Sequence, residues 1–246
     1  MVFISSIKEK LKKSTRAHSQ DGIISNLIIK RISILITSAL VRTNITPNQV
    51  TLLSLLVALT GAFFLALGSW KYVAIGGFLA FFSFILDFVD GEIARFKGMC
   101  SKRGGFLDGV VDRFSDSAIV FGMCLGLYRI IGSHRIWILG FILLTGIFMT
   151  VIVSFLGTSE LTLSGLKNFT NDISKTVTRK FSILKYIKPS YFALTKDIRL
   201  FIIMVGGFTN QILWALIILM VLQNLFWICL VILIWIKGKN DHLIEE

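Results

Sequence analysis

The stretch Asp87–Asp112 reads Asp-Phe-Val-Asp-Gly-Glu-Ile-Ala-Arg, then eight residues, then Gly-Gly-Phe-Leu-Asp-Gly-Val-Val-Asp. The first segment places Asp87 and Asp90 three residues apart, and the second places Asp108 and Asp112 four residues apart. On a helix, either spacing brings both carboxylates to one face. Each segment is therefore predicted to present a pair of acids from one side of a helix.

Long apolar runs flank the acidic stretch on both sides. Val73–Leu86 leads into the first pair of acids, and Ile119–Leu127 follows the second pair. The segment between the pairs is basic and contains Arg95, Lys97, Lys102 and Arg103. The first pair of acids thus lies at the end of one hydrophobic helix, and the second pair lies at the start of the next. This order predicts an antiparallel helical hairpin whose four carboxylates converge near the turn.

Four ionised carboxylates in a low-dielectric pocket repel one another, so they stay charged only if cations lie among them. Two divalent ions would balance the formal charge, and an all-oxygen ligand set favours a hard ion such as Mg²⁺ or Mn²⁺. Arg95 can bind a phosphate through two parallel hydrogen bonds. Small residues leave room for a ligand near the backbone at Gly91, Ala94, Gly104 and Gly105. The pattern predicts metal-assisted chemistry on a diphosphate.

The spacing of these residues resembles the signature of the CDP-alcohol phosphotransferases. The matching pattern is Asp90-Gly91-x2-Ala94-Arg95-x8-Gly104-x3-Asp108-x3-Asp112, with Asp87 as an additional leading acid. The resemblance implies direct displacement at phosphorus, in which an acceptor hydroxyl attacks the β-phosphorus of a CDP-alcohol and CMP leaves. It also implies a homodimer.

The resemblance further implies a role for each residue of the motif. Two Mg²⁺ or Mn²⁺ ions would be bound by Asp87, Asp90, Asp108 and Asp112. Asp112 would also be the general base that accepts the proton of the acceptor hydroxyl. The positions that hold the cytidine diphosphate in the family match Gly91, Ala94, Arg95 and Gly104. The alternative is a structural network of ion pairs with nearby arginines, but charges buried in membrane spans are rarely retained without a function.

Within that family, the chain is most similar to members that use inositol phosphates, such as di-myo-inositol-phosphate-phosphate synthases. The likeness lies in residues 21–25, 45–51, 86–98 and 195–201. It implies CDP-inositol or a CDP-lipid as donor and an acceptor such as inositol 1-phosphate. Four basic residues could bind the acceptor phosphate or be charged flanks only, namely Arg179, Lys180, Lys196 and Arg199. A phosphatidylglycerophosphate-type phospholipid synthase is the alternative within the family.

Composition indicates a membrane protein. Hydrophobic residues make up 54% of the 246 residues and charged residues 16%, and the mean hydropathy is +0.78. These values predict an all-α, polytopic membrane protein with six transmembrane helices and an N-terminal amphipathic surface helix. The predicted spans are 50–67, 73–95, 105–131, 136–156, 191–208 and 211–236. The predicted organisation is an N-terminal segment (1–46), a six-helix phosphotransferase domain (47–237) and a polar tail (238–246).

The N-terminal segment contains a second helical pattern between Gly22 and Arg42. Its apolar residues recur at helical spacing, at Ile24, Leu27, Ile28, Ile32, Leu35, Ile36 and Leu40. The polar residues Lys30, Arg31 and Ser33 fall on other faces. This pattern predicts a helix that lies on the cytoplasmic surface of the membrane. A short buried helix packed against the bundle is the alternative.

Two local patterns support the predicted spans. Thr46 can cap a helix and Pro47 suits the first helical position, so the first span should start here. On the third span, Ala118, Gly122 and Gly126 repeat every four residues. Such a row of small residues predicts a face on which another helix packs closely.

The distribution of basic residues predicts the orientation. Of the 26 Lys and Arg residues, 22 lie in segments 1–46, 95–103, 158–199 and 237–246, whereas only three lie in the opposite loops. The positive-inside rule then places the N-terminus and the acidic pairs on the cytoplasmic side of the cell membrane. The net charge of +12 is explained by flanks that face anionic lipid, so no nucleic-acid partner is expected.

Two functions of other classes compete with a phosphotransferase. An intramembrane prenyltransferase also uses paired aspartates, Mg²⁺ and a diphosphate, but it lacks the Gly-x2-Ala-Arg spacing. A cation transporter could use the acids as an ion site, but the sequence shows no internal repeat. Release of CMP rather than diphosphate would exclude the first. Metal uptake that is unaffected by Asp112→Asn would count against the second.

Overall fold

The computed structural model describes residues 29–160 and 196–242, and within these ranges the chain forms seven α-helices and no β-strand. The helices are α1 (Lys30–Leu40), α2 (Pro47–Ala66), α3 (Trp70–Lys97), α4 (Lys102–Ile131), α5 (Arg135–Glu160), α6 (Lys196–Phe208) and α7 (Ile212–His242). The predicted all-α class is therefore confirmed. The predictions for Arg179 and Lys180, for residues 1–28 and for the start of the predicted fifth span (191–195) lie outside the described residues.

Five of these helices, α2, α3, α4, α5 and α7, are long and apolar enough to cross a bilayer. The first four predicted spans each match one of them to within a few residues. The described part of the predicted fifth span is α6, which has 13 residues. A total of six spans therefore stays a prediction, and the five apolar helices support a multi-pass membrane protein.

The helix ends near the acidic stretch follow local rules. The backbone N–H of Thr46 donates to Gln49 Oε1 at 2.9 Å, and Pro47 is the first residue of α2, as predicted. Gly98 ends α3 with a φ of 66°, a left-handed conformation that favours glycine. Ser101 starts α4, because its Oγ accepts a hydrogen bond from Gly104 N–H at 3.0 Å. These signals confine the connection between α3 and α4 to a short turn.

The acid-bearing helices α3 and α4 are connected as a hairpin but do not pack along their length. The pairs of helices in extensive contact are α2–α3, α2–α4, α3–α6 and α5–α7. The predicted hairpin connection is present, but α2 packs against both of its helices, and α6 packs against α3 next to the acidic end. The physical reason is that small residues let α2 approach both neighbours more closely than they approach each other.

The small-residue face predicted on the third span is confirmed for its two glycines. A Cβ at Gly122 would overlap the carbonyl oxygen of Ala62, and a Cβ at Gly126 would overlap that of Leu65. On the other side of α2, a Cβ at Gly61 would lie 3.0 Å from Gly76 O of α3. The backbone of α2 therefore contacts the backbone of α3 on one side and that of α4 on the other. These contacts fix the positions of α3 and α4 relative to α2.

Gly126→Ala is expected to destabilise the protein by about 1–3 kcal/mol, because the added methyl group overlaps a backbone atom that cannot move alone. Thermal unfolding in detergent should show a lower midpoint than for the wild type. Gly109→Ala is the matched control, since Gly109 lies on the same helix with open space where its Cβ would be. The same loss of stability in both variants would contradict this packing.

Helix α1 packs against α3 through polar residues. Ser33 and Thr37 are fully buried, whereas Ile32 and Leu35 are 36% and 55% exposed. The sequence pattern placed Ser33 away from the packed face, and that assignment is wrong. The reason is a buried carboxylate, Glu92 of α3, which needs hydroxyl donors. That α1 lies on the membrane surface stays a prediction.

Candidate metal and phosphate site

Three of the four predicted acids meet where α3 ends and α4 begins. Asp87, Asp90 and Asp108 each offer a carboxylate oxygen, and these three oxygens lie within 4.8 Å of one another. The three-residue spacing on α3 supplies two of the oxygens from one helix face, and the short turn brings the third from α4. We call this set the acid cluster.

The acid cluster fits a hard divalent cation. Asp87 Oδ1 and Asp108 Oδ1 are buried, and neither accepts a hydrogen bond from any described residue. A buried carboxylate oxygen without a partner is unfavourable, so such atoms usually have a ligand to bind. Oxygen ligands from carboxylates are those that Mg²⁺ and Mn²⁺ prefer.

Asp90 is held by a residue that the sequence analysis did not assign to the site. Thr51 of α2 donates its hydroxyl to Asp90 Oδ2 at 2.5 Å, and both residues are nearly fully buried. The bond orients one carboxylate oxygen and leaves the other for a cation. Groups that orient metal ligands in this way commonly change metal affinity by about 10- to 100-fold.

Thr51→Val is therefore expected to weaken Mn²⁺ binding by about 10- to 100-fold with little change in volume. Calorimetric titration of the purified protein in detergent would measure this affinity. Thr51→Ser keeps the hydroxyl and should bind Mn²⁺ nearly as well as the wild type. Thr60→Val is the control on the same helix, because that exposed hydroxyl donates to Leu56 O of its own helix. An unchanged affinity in Thr51→Val would show that the hydroxyl does not orient a ligand.

Asp112, the fourth acid, lies one helical turn beyond Asp108 and is held by cations. Lys196 of α6 donates to Asp112 Oδ1, and its Nζ is also 3.6 Å from Asp87 Oδ2. Arg113 Nη2 donates to Asp112 Oδ2 at 3.3 Å. Asp112 is thus connected to the acid cluster through Lys196 rather than by direct proximity within it.

The two described members of the predicted basic group lie inside the bundle. Lys196 Nζ is 5.3 Å from the centre of the Phe84 ring, a cation–π distance. Arg199 donates to Asp116 Oδ2 at 2.9 Å, and both side chains are buried. Helix α6 therefore contributes two cations that face the acids of α3 and α4. The sequence analysis placed Lys196 and Arg199 in a basic group but did not identify Asp116 as the partner of Arg199.

The residues predicted to hold a cytidine diphosphate surround the same end of α3 and α4. A Cβ at Gly91 would lie 3.1 Å from Arg95 Nη1, so the guanidinium lies directly over Gly91. Arg95 Nε is buried and has no hydrogen-bond partner among the described residues. A Cβ at Gly104 would lie 3.4 Å from Asn48 Oδ1 of α2. The start of α2 thus borders the predicted nucleotide site.

A model of the CDP-alcohol phosphatidyltransferase family matches residues 44–235 of the chain. The bifunctional IPC transferase and DIPP synthase of Archaeoglobus fulgidus is 34% identical over 230 residues, which are 91% of this chain and 40% of that protein. The archaetidylinositol phosphate synthase of Pyrococcus horikoshii is 41% identical over 105 residues, 43% of this chain and 51% of that protein. The chain thus spans about half or less of the length of these curated relatives.

Solved structures show the same fold. Phosphatidylinositol phosphate synthase of Mycobacterium tuberculosis with CDP-DAG bound aligns with a TM-score of 0.58 at 19% identity, over 83% of this chain and 94% of that one. The same enzyme in complex with manganese and citrate aligns with a TM-score of 0.57 at 18% identity, over 82% and 88% of the two chains. At these identities the likeness concerns the fold.

Proposed function

Because the chain belongs to the CDP-alcohol phosphatidyltransferase family, we propose that it transfers a phospho-alcohol group from a CDP-alcohol to an inositol-phosphate acceptor and releases CMP. The observation that carries this proposal is the acid cluster, in which Asp87, Asp90 and Asp108 converge and in which Asp87 Oδ1 and Asp108 Oδ1 are buried without a hydrogen-bond partner among the described residues. Lys196 and Asp112 lie beside it. The names of several relatives refer to inositol phosphates, which supports the acceptor class.

The acids would hold the metal that this reaction needs. Two Mg²⁺ or Mn²⁺ ions would be bound by Asp87, Asp90, Asp108 and Asp112. When bound, such ions neutralise charge on the diphosphate and on the departing phosphate of CMP. The manganese complex of the mycobacterial enzyme supports the choice of a hard ion.

The protein residues position the reactants and move one proton. Arg95, together with the open backbone at Gly91 and Gly104, would bind the diphosphate of the donor. Asp112 would accept the proton of the acceptor hydroxyl as its oxygen bonds to the β-phosphorus. The bond between the β-phosphorus and the bridging oxygen breaks, and CMP leaves with that electron pair.

Lys196 is suited to orient the acceptor. Its ammonium group lies between Asp87 and Asp112, so a phosphate bound to it would hold a hydroxyl close to the base. Arg199 approaches from the next turn of α6, where it pairs with Asp116. Arg179 and Lys180, outside the described residues, complete the proposed basic group. If Lys196 and Arg199 were only charged residues flanking a membrane span, they would be expected in water rather than beside buried carboxylates.

The site is proposed to face the cytoplasm, on the basis of the charge distribution of the loops. Nucleotide donors such as CDP-inositol or a CDP-lipid are available on that side. The lipid bilayer is the surrounding medium, and a homodimer is expected from the family.

The proposal is tested by CMP release from the purified protein in detergent with Mn²⁺ or Mg²⁺. CDP-inositol and a CDP-lipid are offered as donors, each with inositol 1-phosphate, glycerol 3-phosphate or no acceptor. Release that requires inositol 1-phosphate is expected, and the donor that supports it distinguishes a di-inositol product from a phospholipid. Release only with glycerol 3-phosphate would identify a phosphatidylglycerophosphate-type synthase instead. No release with any pair would contradict the proposal.

A further inference from the structure

A second buried carboxylate lies on α3 outside the acid cluster. Glu92 is fully buried and accepts hydrogen bonds from two side chains of α1, Ser33 Oγ at 2.9 Å and Thr37 Oγ1 at 2.6 Å. Both hydroxyl-bearing residues are also fully buried. A hydrogen-bonded carboxylate without access to water is unusual, and such groups commonly have a structural or functional role.

Glu92 is too far around α3 to serve as a ligand of the acid cluster. Residues two apart on a helix point to different faces, so Glu92 faces α1 whereas Asp90 faces Thr51 of α2. Glu92 therefore links α1 to the part of α3 that carries the predicted diphosphate-binding residues.

The segment after α1 is fastened to the same end of α3. Lys97 Nζ donates to Thr43 O at 2.7 Å and to Ile45 O at 2.8 Å. An apolar cluster joins α1 and the segment after it to α2 and α3, and it contains Val50, Val89 and Ile93, with Ile36, Leu40, Val41 and Ile45 packed against it. The last two turns of α3 thus pack against α1 and against the loop that follows it.

We infer that Glu92 is a positioning residue, which fixes α1 against the last turns of α3 and so holds Gly91 and Arg95 for the diphosphate of a nucleotide ligand. This inference rests on the proposed function. Arg95 is one helical turn beyond Glu92, and its guanidinium lies over Gly91. Looser packing of this segment would move both residues, whereas Asp90 of the acid cluster also has a hydrogen bond from Thr51 of α2.

The test compares Glu92→Ala with Glu92→Gln, which keeps an acceptor oxygen, and with Ser38→Ala as control. Ser38 is on α1, but its exposed hydroxyl donates to Leu35 O of the same helix. Three quantities are measured on the full chain in detergent. They are CDP affinity with Mn²⁺ present, Mn²⁺ affinity alone, and amide hydrogen exchange of segments 30–40 and 91–97.

Glu92→Ala is expected to exchange faster in both segments and to bind CDP at least about fivefold more weakly, with Mn²⁺ affinity within twofold of the wild type. Glu92→Gln and Ser38→Ala should resemble the wild type. Unchanged exchange of residues 91–97, or unchanged CDP affinity despite faster exchange, would overturn the inference. Equal losses of CDP and Mn²⁺ binding would show a general structural role instead and would also overturn it.

The outcome for the wild type separates this inference from the proposed function. A wild-type protein that binds Mn²⁺ but not CDP would contradict the proposed function and, with it, the positioning of a nucleotide. CDP binding that is equal in the wild type and in Glu92→Ala would contradict only the role of Glu92.

Discussion

Asp108→Asn is expected to abolish tight Mn²⁺ binding and acceptor-dependent CMP release. The Asp108 carboxylate supplies one of the three clustered oxygens, and its Oδ1 has no hydrogen-bond partner among the described residues. An amide carries no charge and binds a hard cation poorly. Because loss of a residue that merely orients a ligand weakens metal affinity by about 10- to 100-fold, loss of the ligand itself should exceed that range.

Paramagnetic resonance of free Mn²⁺ would measure the affinity, and CMP release would report the activity of the same samples. Glu92→Gln is the matched control, because it neutralises another buried acid of the same region that lies outside the acid cluster. Both its Mn²⁺ affinity and its activity should stay near the wild-type values. Retention of Mn²⁺ binding in Asp108→Asn would show that the acid cluster is not the metal site.

Asp112→Asn is expected to lower kcat by about 10²- to 10⁴-fold, the usual contribution of a general base. Its Mn²⁺ affinity should fall less than that of Asp108→Asn, since Asp112 is outside the group of three oxygens and is bound by Lys196 and Arg113. The two variants together separate proton transfer from metal binding. Steady-state kinetics at saturating Mn²⁺ would provide the comparison.

Ser117→Ala is the control on the same helix for this experiment. Its hydroxyl bonds to Arg113 O of its own helix, so it should not affect turnover. If Asp112→Asn kept kcat within tenfold of the wild type at saturating metal, the assignment of Asp112 as the base would be wrong. If its metal affinity fell as far as that of Asp108→Asn, Asp112 would be chiefly a ligand.

Much of the site follows from local sequence patterns. The spacing of Asp87 and Asp90 and the break at Gly98 are determined within one helix and its end. Helical periodicity and end signals therefore predict that the chain turns back after the first pair, and the packing of both helices on α2 fixes where Asp108 lies. The apolar lengths of α2 to α5 predict the spans for the same reason, since the bilayer sets the length of an apolar helix.

The contacts between distant segments could not be predicted in this way. Thr51 and Asp90 are 39 residues apart, and Ser33 and Glu92 are 59 apart. Both pairs depend on how the helices pack against one another. Periodicity shows which face of a helix is apolar, so it placed Ser33 on the wrong face. Where a neighbouring helix carries a buried acid, the polar face packs against it instead, because the acid requires hydrogen-bond donors.

The arrangement of α3 and α4 illustrates the same limit of local patterns. The short turn correctly predicted a connection between adjacent antiparallel helices. The row that includes Gly122 and Gly126 predicted a close neighbour for α4, but not which helix it would be. In the structure that neighbour is α2.

The most direct test of the account is the stoichiometry of the products in a single reaction. The purified protein is given Mn²⁺, inositol 1-phosphate and the donor that supports turnover, and CMP and the phosphodiester product are quantified by mass spectrometry. The account predicts equal amounts of both, formed only with the acceptor and stopped by chelation of the metal. Release of diphosphate, CMP without a phosphodiester product, or turnover that survives chelation would contradict it.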